Sequence, residues 1–132
     1  MSKKSTDGKC GKKCVSTWGK HLIIDAYGIE EKKLKNHKAI RGLLVSLPEK
    51  FKMRPLSRVT VKKVESEGYP DWGVSGFIML YESHISIHTW PEENYFAMDL
   101  YSCKDFDHDA ITNYLKEFWG SKKMKIKIVT RG

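Results

Sequence analysis

The sequence predicts an α+β domain, a two-layer sandwich in which two helices cover one face of a mostly antiparallel β-sheet. Six segments combine β-branched or alternating apolar residues with turn signals at their ends, as strands do. Two longer segments place apolar residues near helical spacing. The resulting order of elements is β-α-β-β-β-β-α-β, without internal repeats or a linker.

The first half of the chain supplies a strand, a helix and a second strand. Residues 20–28 form a β-branched run that a glycine closes. Residues 30–47 carry leucine and isoleucine near helical spacing, and Pro48 predicts the end of that helix. Residues 57–65 (SRVTVKKVE) alternate and predict the second strand.

The second half supplies four strands and one helix. Residues 73–81, 83–90 and 94–103 predict consecutive strands, and the turn-like sequence PEE separates the last two. Residues 105–120 begin with three aspartates, which suit a helix N-terminus, and end in glycine. Residues 123–130 predict a closing strand with its charged face outward.

Composition indicates a soluble, intracellular protein of one domain. The 132 residues suit a single domain, and no apolar run approaches the ~20 residues of a membrane span. The N-terminus has no apolar core that would mark a secretory signal. Three cysteines, an odd number, then favour reduced thiols in the cytoplasm.

A basic arm precedes the predicted domain. Residues 1–20 carry six lysines and one aspartate, which accounts for +5 of the net charge of +8. We expect residues 1–18 to form a flexible arm and residues 19–132 to form the domain. Charge alone gives only non-specific affinity, so nucleic acid is not the expected partner, although a non-catalytic basic binding module stays an alternative. Cys10 and Cys14 lack the second ligand pair of a zinc site.

Polar and reactive side chains gather on one face of the predicted sheet, because residues two apart in a strand share a face. On three neighbouring strands, the positions that share this face are Ser75, Phe77 and Met79, then His84, Ser86 and His88, then Asp99, Tyr101 and Cys103. The helices would cover the opposite, apolar face. Aromatic and small residues mixed with the polar ones indicate a pocket or a partner surface.

Two kinds of site fit this face poorly. His84 and His88 lie four residues apart on a strand, roughly 13 Å at ~3.3 Å per residue, which is too far to share one metal ion. A thiol hydrolase built on Cys103 needs an oxyanion hole, for which no glycine-rich motif is present. The remaining hypothesis is self-modification of the peptide bond between Glu82 and Ser83.

The motif GVSGFIMLYESHISIHTWPE, followed by MDLYSC, resembles the pyruvoyl-dependent S-adenosylmethionine decarboxylase proenzymes of the short prokaryotic type. The resemblance extends from GKHLIIDAYG to the last strand and implies the fold of that family. In that family the proenzyme cuts itself at a Glu-Ser bond, and the serine becomes an N-terminal pyruvoyl group. The resemblance therefore implies a cut between Glu82 and Ser83, giving a β chain of residues 1–82 and an α chain of residues 83–132.

The resemblance also assigns roles to single residues. Ser75 and His88 match the family's processing residues, and Cys103 matches its catalytic proton donor. Tyr69 matches a position where the family often has phenylalanine, which is implied to stack on the substrate's adenine. The self-generated pyruvoyl group is implied to be the cofactor, without a metal, and to form a Schiff base with the substrate's α-amine as an electron sink.

The substrate stays open between two classes. S-adenosylmethionine, whose decarboxylated product is an aminopropyl donor in polyamine synthesis, needs aromatic faces, for which the candidates are Tyr69, Trp72, Trp90 and Tyr95. Arginine or ornithine, the substrates of relatives with this fold, need a carboxylate such as Asp71, Glu92, Glu93 or Asp99. The family's usual TCG is here SCKDFD. A homodimer of processed protomers, with active sites near the interface, is also implied.

Overall fold

The computed structural model describes residues 18–65 and 72–132, and six strands and three α-helices lie within these two ranges. A short 3₁₀ turn at Pro91–Glu93 joins the fourth and fifth strands. In chain order the elements are β1 (Gly19–Tyr27), α1 (Glu31–Leu34), α2 (His37–Lys50), β2 (Thr60–Glu65), β3 (Trp72–Leu80), β4 (Ser83–Trp90), β5 (Tyr95–Ser102), α3 (His108–Trp119) and β6 (Lys123–Arg131).

All six strands form one sheet in the order β2-β3-β4-β5-β1-β6, and every neighbouring pair is antiparallel. The short turns after β3 and β4 set three consecutive strands side by side, because tight turns join antiparallel neighbours. Strand β1 then lies between β5 and β6. The predicted class, an α+β sandwich with a mostly antiparallel sheet, is confirmed.

One face of the sheet is buried beneath helices α2 and α3. Burial of each large apolar side chain there contributes about 1.5–3 kcal/mol to stability. The helix residues in this core are Ile40, Leu43, Leu44 and Leu47 of α2 and Ile111, Leu115 and Trp119 of α3. The opposite face, called the open face below, is formed by the alternate strand positions that include Ser75, His88 and Tyr101. None of the described helices covers it.

The first helical segment differs from the prediction of one helix over residues 30–47 that ends at Pro48. The structure has a single turn, α1, followed by the longer α2. The break falls at Asn36, whose side-chain oxygen accepts a backbone N–H of α2 at 3.0 Å and caps the new helix. The predicted stop at Pro48 was wrong, because this proline lies inside the last turn. It removes one hydrogen bond, but the Phe51 N–H donates to the Leu47 carbonyl at 3.1 Å and continues the turn.

The β3-β4 hairpin turns through two residues, Tyr81 and Glu82, between the paired ends Leu80 and Ser83. Glu82 has a φ of 62°, in the left-handed region. For a residue other than glycine that conformation costs about 1–2 kcal/mol. The Tyr81 N–H donates to the Arg54 carbonyl at 3.0 Å, so a neighbouring segment anchors the turn. The sheet thus presents a strained and anchored turn immediately before Ser83.

Candidate active site

Three groups surround the peptide bond between Glu82 and Ser83. The Glu82 carbonyl oxygen accepts a hydrogen bond from the Cys103 N–H at 3.3 Å. The Ser83 hydroxyl lies 2.8 Å from the Ser102 Oγ and 3.2 Å from the Tyr81 carbonyl oxygen. These contacts follow from the β4-β5 register, which sets Ser83 opposite Ser102 and places Cys103, the residue after Ser102, beside the β3-β4 turn. An N–H at a carbonyl oxygen and a hydroxyl on the next residue are two groups that attack of that hydroxyl on the carbonyl would use.

The Cys103 thiol stays protonated near neutral pH. Its pKa is raised from 9.0 to about 11, first by burial and then by the hydrogen bond and negative charge of the Glu82 side chain. The residue is partly buried and follows β5 directly. A protonated thiol can donate a proton but is a weak nucleophile. Its surroundings therefore favour a proton donor beside this peptide bond over a thiol hydrolase.

A second polar pair, Ser75 and His88, lies on the open face. The β3-β4 register sets the two residues directly opposite each other, and the Ser75 Oγ lies 2.7 Å from the His88 Nδ1. The His88 side chain is exposed, because it faces away from the helices. A hydrogen bond at Nδ1 fixes the orientation of the ring and leaves Nε2 available for proton transfer.

The structure does not bring this pair to the Glu82–Ser83 bond within one chain. His88 lies five residues beyond Ser83 on β4, which is roughly 16 Å at ~3.3 Å per residue. Residues five apart on a strand also point to opposite faces, and Ser83 shares its face with the buried Ile85. The four residues predicted to act together thus form two groups, Ser83 with Cys103 and Ser75 with His88.

His84 lies on the open face among other titratable side chains. Its ring stacks on Phe77 with centroids 5.8 Å apart. The pKa of His84 is lowered, mainly by burial and then by His21, while Asp99 acts in the opposite direction. The His21 Nε2 lies 3.5 Å from an Asp99 carboxylate oxygen. The lowered pKa keeps His84 neutral near pH 7, so this ring is not a fixed positive charge.

Aromatic rings line the open face near the far ends of β4 and β1. Trp90 is 42% exposed, and its ring centroid lies 5.2 Å from that of Tyr95. Tyr95 also stacks on Tyr27 at 5.2 Å. The Tyr95 hydroxyl donates to an Asp25 carboxylate oxygen at 2.6 Å, and this bond together with burial raises the pKa of Tyr95 to about 12. Exposed ring faces of this kind suit an aromatic or cationic ligand.

The other predicted contacts fall elsewhere. Trp72 packs against the core on the helix-covered face, with the Lys63 Nζ 4.7 Å from its ring centroid. Tyr69 and Asp71 lie outside the described residues, as do Cys10 and Cys14. Of the predicted arm, residues 1–18, the structure describes Trp18, whose N–H donates to the Arg131 carbonyl at 2.8 Å.

Ser102 contacts Ser83 and was not among the predicted site residues. It is 1% exposed, on the helix-covered face of β5. The β4-β5 register explains why Ser102 lies there. The 3₁₀ turn pairs Trp90 with Tyr95, and each residue toward the start of β4 then pairs with the next residue toward the end of β5. The last pair in this register is Ser83 with Ser102. The short turn at PEE, which sets the register, was therefore the feature of the sequence that could have identified Ser102.

Residues 18–65 and 72–132 contain neither a cluster of metal-ligand side chains nor a membrane-spanning helix. No group of three His, Cys, Asp or Glu side chains is placed there to hold a metal ion. No helix in these ranges is both long and apolar enough to cross a membrane.

Comparison with known proteins gives matches over most of the chain. A family model described as S-adenosylmethionine decarboxylase matches residues 20–132. An S-adenosylmethionine decarboxylase proenzyme of Clostridium botulinum (strain Langeland / NCTC 10281 / Type F) is 40% identical over 115 residues, 86% of this chain and 94% of the relative. A proenzyme of the same name from Methanococcus maripaludis (strain C5 / ATCC BAA-1333) is 34% identical over 116 residues, 86% of this chain and 89% of the relative. The crystal structure of the adenosylmethionine decarboxylase from Aquifex aeolicus VF5 is similar, with a TM-score of 0.74 and 28% sequence identity, over 89% of this chain and 93% of that chain.

Proposed function

Because the chain belongs to the S-adenosylmethionine decarboxylase family, we propose that it is a proenzyme that cuts itself between Glu82 and Ser83 and decarboxylates S-adenosylmethionine. The cut converts Ser83 to a pyruvoyl group, and the product of the second reaction is an aminopropyl donor for polyamine synthesis. One observation carries this proposal. A left-handed Glu82, whose carbonyl accepts the Cys103 N–H, stands directly before a serine.

Self-cleavage begins with the Ser83 hydroxyl. Its oxygen attacks the Glu82 carbonyl carbon, the peptide C–N bond breaks, and the hydroxyl proton ends on the freed Ser83 nitrogen, which gives an ester. The Cys103 N–H, 3.3 Å from the carbonyl oxygen, stabilises the negative charge that develops on that oxygen. The left-handed conformation of Glu82 adds strain to the starting state, and the broken peptide bond releases it.

The ester must next lose the Ser83 Cα proton to a base, so that the Glu82 carboxylate leaves. We assign this step to His88, with its Nδ1–H donating to the Ser75 Oγ and its lone pair on the exposed Nε2. Ser75 orients the ring through the 2.7 Å contact. The dehydroalanine that remains at residue 83 tautomerises to an imine, and water then hydrolyses the imine to a pyruvoyl group with release of ammonia.

Cys103 serves the decarboxylation. The pyruvoyl group, once formed, would supply an electrophilic ketone for the substrate's amine and an electron sink for loss of CO2. Cys103 lies beside residue 83 and keeps its thiol proton at neutral pH, since its pKa is raised. We assign to this thiol the proton that returns to the substrate carbon. The steps as written use no metal ion.

We place the Ser75–His88 pair of one protomer at the Glu82–Ser83 bond of its partner in a homodimer. Within one chain the pair lies roughly 16 Å from this bond, and a second copy is the simplest source of another pair. The open face also carries exposed apolar side chains that a partner would cover. They are Val64, Phe77, Met79 and Trp90, each 40–44% exposed. Light scattering should give a dimer, and a particle of one 15.3 kDa chain would contradict it.

S-adenosylmethionine suits the open face better than arginine or ornithine does. Trp90 and Tyr95 offer ring faces beside His88 for a sulfonium and an adenine. Asp99, a carboxylate that a guanidinium would need, already lies 3.5 Å from His21. The proenzymes and the crystal structure that resemble this chain carry the S-adenosylmethionine name. Contacts of the substrate with Tyr69 and Trp72 stay predictions.

We propose that residues 1–18 are a separate arm and that residues 19–132 carry both reactions. In support, the first strand begins at Gly19, and the family match begins at residue 20. A chain lacking residues 2–17 should cut itself and decarboxylate at the parent rate. A basic binding module would instead lose its activity with the arm.

The test of the substrate is CO2 release from carboxyl-labelled S-adenosylmethionine, arginine and ornithine, measured side by side. We expect release from S-adenosylmethionine, and a Ser83→Ala chain should release none. Release from arginine or ornithine in its place would assign the chain to that alternative. A cut chain that decarboxylates none of the three would overturn the proposed activity.

A further inference from the structure

We propose that Ser102 is a positioning residue for self-cleavage, and that it holds the Ser83 hydroxyl in place for its attack on the Glu82 carbonyl. This role rests on the proposed function, and it adds a residue that the motif does not assign. It is carried by one contact, the 2.8 Å hydrogen bond from the Ser83 hydroxyl to the Ser102 Oγ.

Ser102 is itself rigidly held. Its backbone pairs with Ser83 on one side and with Lys20 of β1 on the other, so it sits in the interior of the sheet. Its Oγ accepts the Lys104 N–H at 3.0 Å, which fixes the side-chain rotamer. A serine oxygen has two lone pairs. One lone pair receives this N–H, and the other faces the Ser83 hydroxyl.

Because Ser102 is buried, its contact with the Ser83 hydroxyl determines where that hydroxyl points. Ser102 is 1% exposed, so bulk water has little access to its oxygen. The Ser83 hydroxyl has a second acceptor, the Tyr81 carbonyl oxygen, at the longer distance of 3.2 Å. A hydroxyl has one proton, so it bonds one of the two acceptors at a time. Without Ser102 we expect it to turn to Tyr81 or rotate freely, and fewer chains would hold Oγ ready to attack.

The covalent step is the acyl shift, and it needs no further reactant. The Ser83 Oγ forms a bond to the Glu82 carbonyl carbon, the C–N bond breaks, and the hydroxyl proton is transferred to the Ser83 nitrogen. Ser102 accepts the hydrogen bond of that proton before transfer and is unchanged afterwards. A purely structural serine would instead affect only the stability of the sheet.

A conservative replacement is available, because Ser102 borders a cavity of about 380 Å³ beside the end of α2. A threonine keeps the hydroxyl and adds one methyl group at a residue that borders this cavity. Threonine also suits a β-strand. Ser102→Thr should therefore keep the contact with Ser83, whereas Ser102→Ala removes it.

The experiment isolates the acyl shift in a His88→Ala background, where the ester should accumulate because its elimination lacks a base. Hydroxylamine cleaves esters, and the amount of chain cut after residue 82 is read by intact mass. Ser102→Ala should lower the rate of hydroxylamine cleavage about tenfold, the effect of one net hydrogen bond. Ser102→Thr should stay within about threefold of the parent, and Ser121→Ala, a hydroxyl loss far from the turn, should have no effect.

The outcomes distinguish a failure of the role proposed for Ser102 from a failure of the proposed self-cleavage. A Ser102→Ala chain that cleaves at the parent rate would overturn the role of Ser102 alone. A His88→Ala parent that hydroxylamine does not cleave would overturn the proposed self-cleavage route, and this role with it. Thermal unfolding checks that each variant is folded. Should Ser102→Ala not fold, Ser102→Cys keeps the size, weakens the acceptor and carries the same expectation of slower cleavage.

Discussion

Co-expression of a Ser83→Ala chain with a His88→Ala chain should restore a self-cleavage that neither variant completes alone. In a mixed dimer the first chain keeps the Ser75–His88 pair, and the second keeps the Glu82–Ser83 bond. Within one chain roughly 16 Å separates Ser83 from His88, against the ~3 Å that a proton transfer needs. The proposal therefore takes this base from the partner protomer.

The expected yield follows from random pairing. With equal expression, about half of the His88→Ala chains are in mixed dimers of a closed twofold assembly. Those chains should be cut and carry the pyruvoyl group, while the Ser83→Ala chains should stay whole. Expressed alone, the His88→Ala chain should form pyruvoyl about 10²–10⁴-fold more slowly than the parent, the usual loss when a general base is removed.

Different affinity tags on the two chains allow mixed dimers to be purified, and intact mass under denaturing conditions shows which chain is cut. The matched control replaces the Ser83→Ala partner with a Ser83→Ala/His88→Ala chain, which offers the same interface without the histidine. Cutting should then disappear. Uncut His88→Ala chains in purified mixed dimers would refute the arrangement across the interface, and so would complete processing of His88→Ala chains expressed alone.

Three further predictions concern the turn, the thiol and a helix end. In a Ser83→Ala background, we expect the free energy of unfolding in urea to be about 1 kcal/mol higher for Glu82→Gly than for Glu82→Ala. Glycine adopts the left-handed φ of 62° without strain, whereas alanine does not. Equal free energies of unfolding would argue against strain at residue 82. In the same background, labelling of Cys103 by iodoacetamide, followed by mass spectrometry of its peptide, should have a midpoint near pH 11. The free energy of unfolding should also fall as pH rises from 9.0 to about 11, because the thiol of the unfolded chain loses its proton first. A labelling midpoint at pH 9.0 would contradict the raised pKa of Cys103. Asp107→Ala should lower the free energy of unfolding by about 1 kcal/mol, since the Asp107 Oδ1 accepts the Ala110 N–H at 3.1 Å and caps α3, whereas the control Asp109→Ala removes no cap and should cost less.

The strands were predictable because their signal is local. Strand β4 spans Ser83–Trp90, the bounds that the alternation of SHISIHTW predicts. A strand with one buried face has to show that face in its own residues. The first helix was less predictable, because the cap at Asn36 competes with an otherwise continuous helical pattern. Pro48 was misleading for a different reason, since packing of α2 on the sheet keeps its last turn helical beyond the proline.

The types of residue at the site were predictable from the motif, but their grouping was not. Ser75 and His88 come from different strands, and their 2.7 Å contact depends on the hairpin register. The contact of Cys103 with the Glu82 carbonyl depends on a second hairpin, that of β4 and β5. The left-handed φ of Glu82 could not be predicted, because a glycine is the usual signal for that conformation and residue 82 is not a glycine. The motif gave no sign that Ser83 and His88, five residues apart on β4, lie on opposite faces of the sheet.

The decisive measurement is the intact mass of the purified chain under denaturing conditions. Self-cleavage requires two polypeptides, residues 1–82 and residues 83–132, the second beginning with a pyruvoyl group in place of a serine. The Ser83→Ala variant should remain a single chain of 15.3 kDa. A single uncut chain of that mass from the unmutated protein would show that the bond before Ser83 does not break, and the proposed chemistry would be wrong.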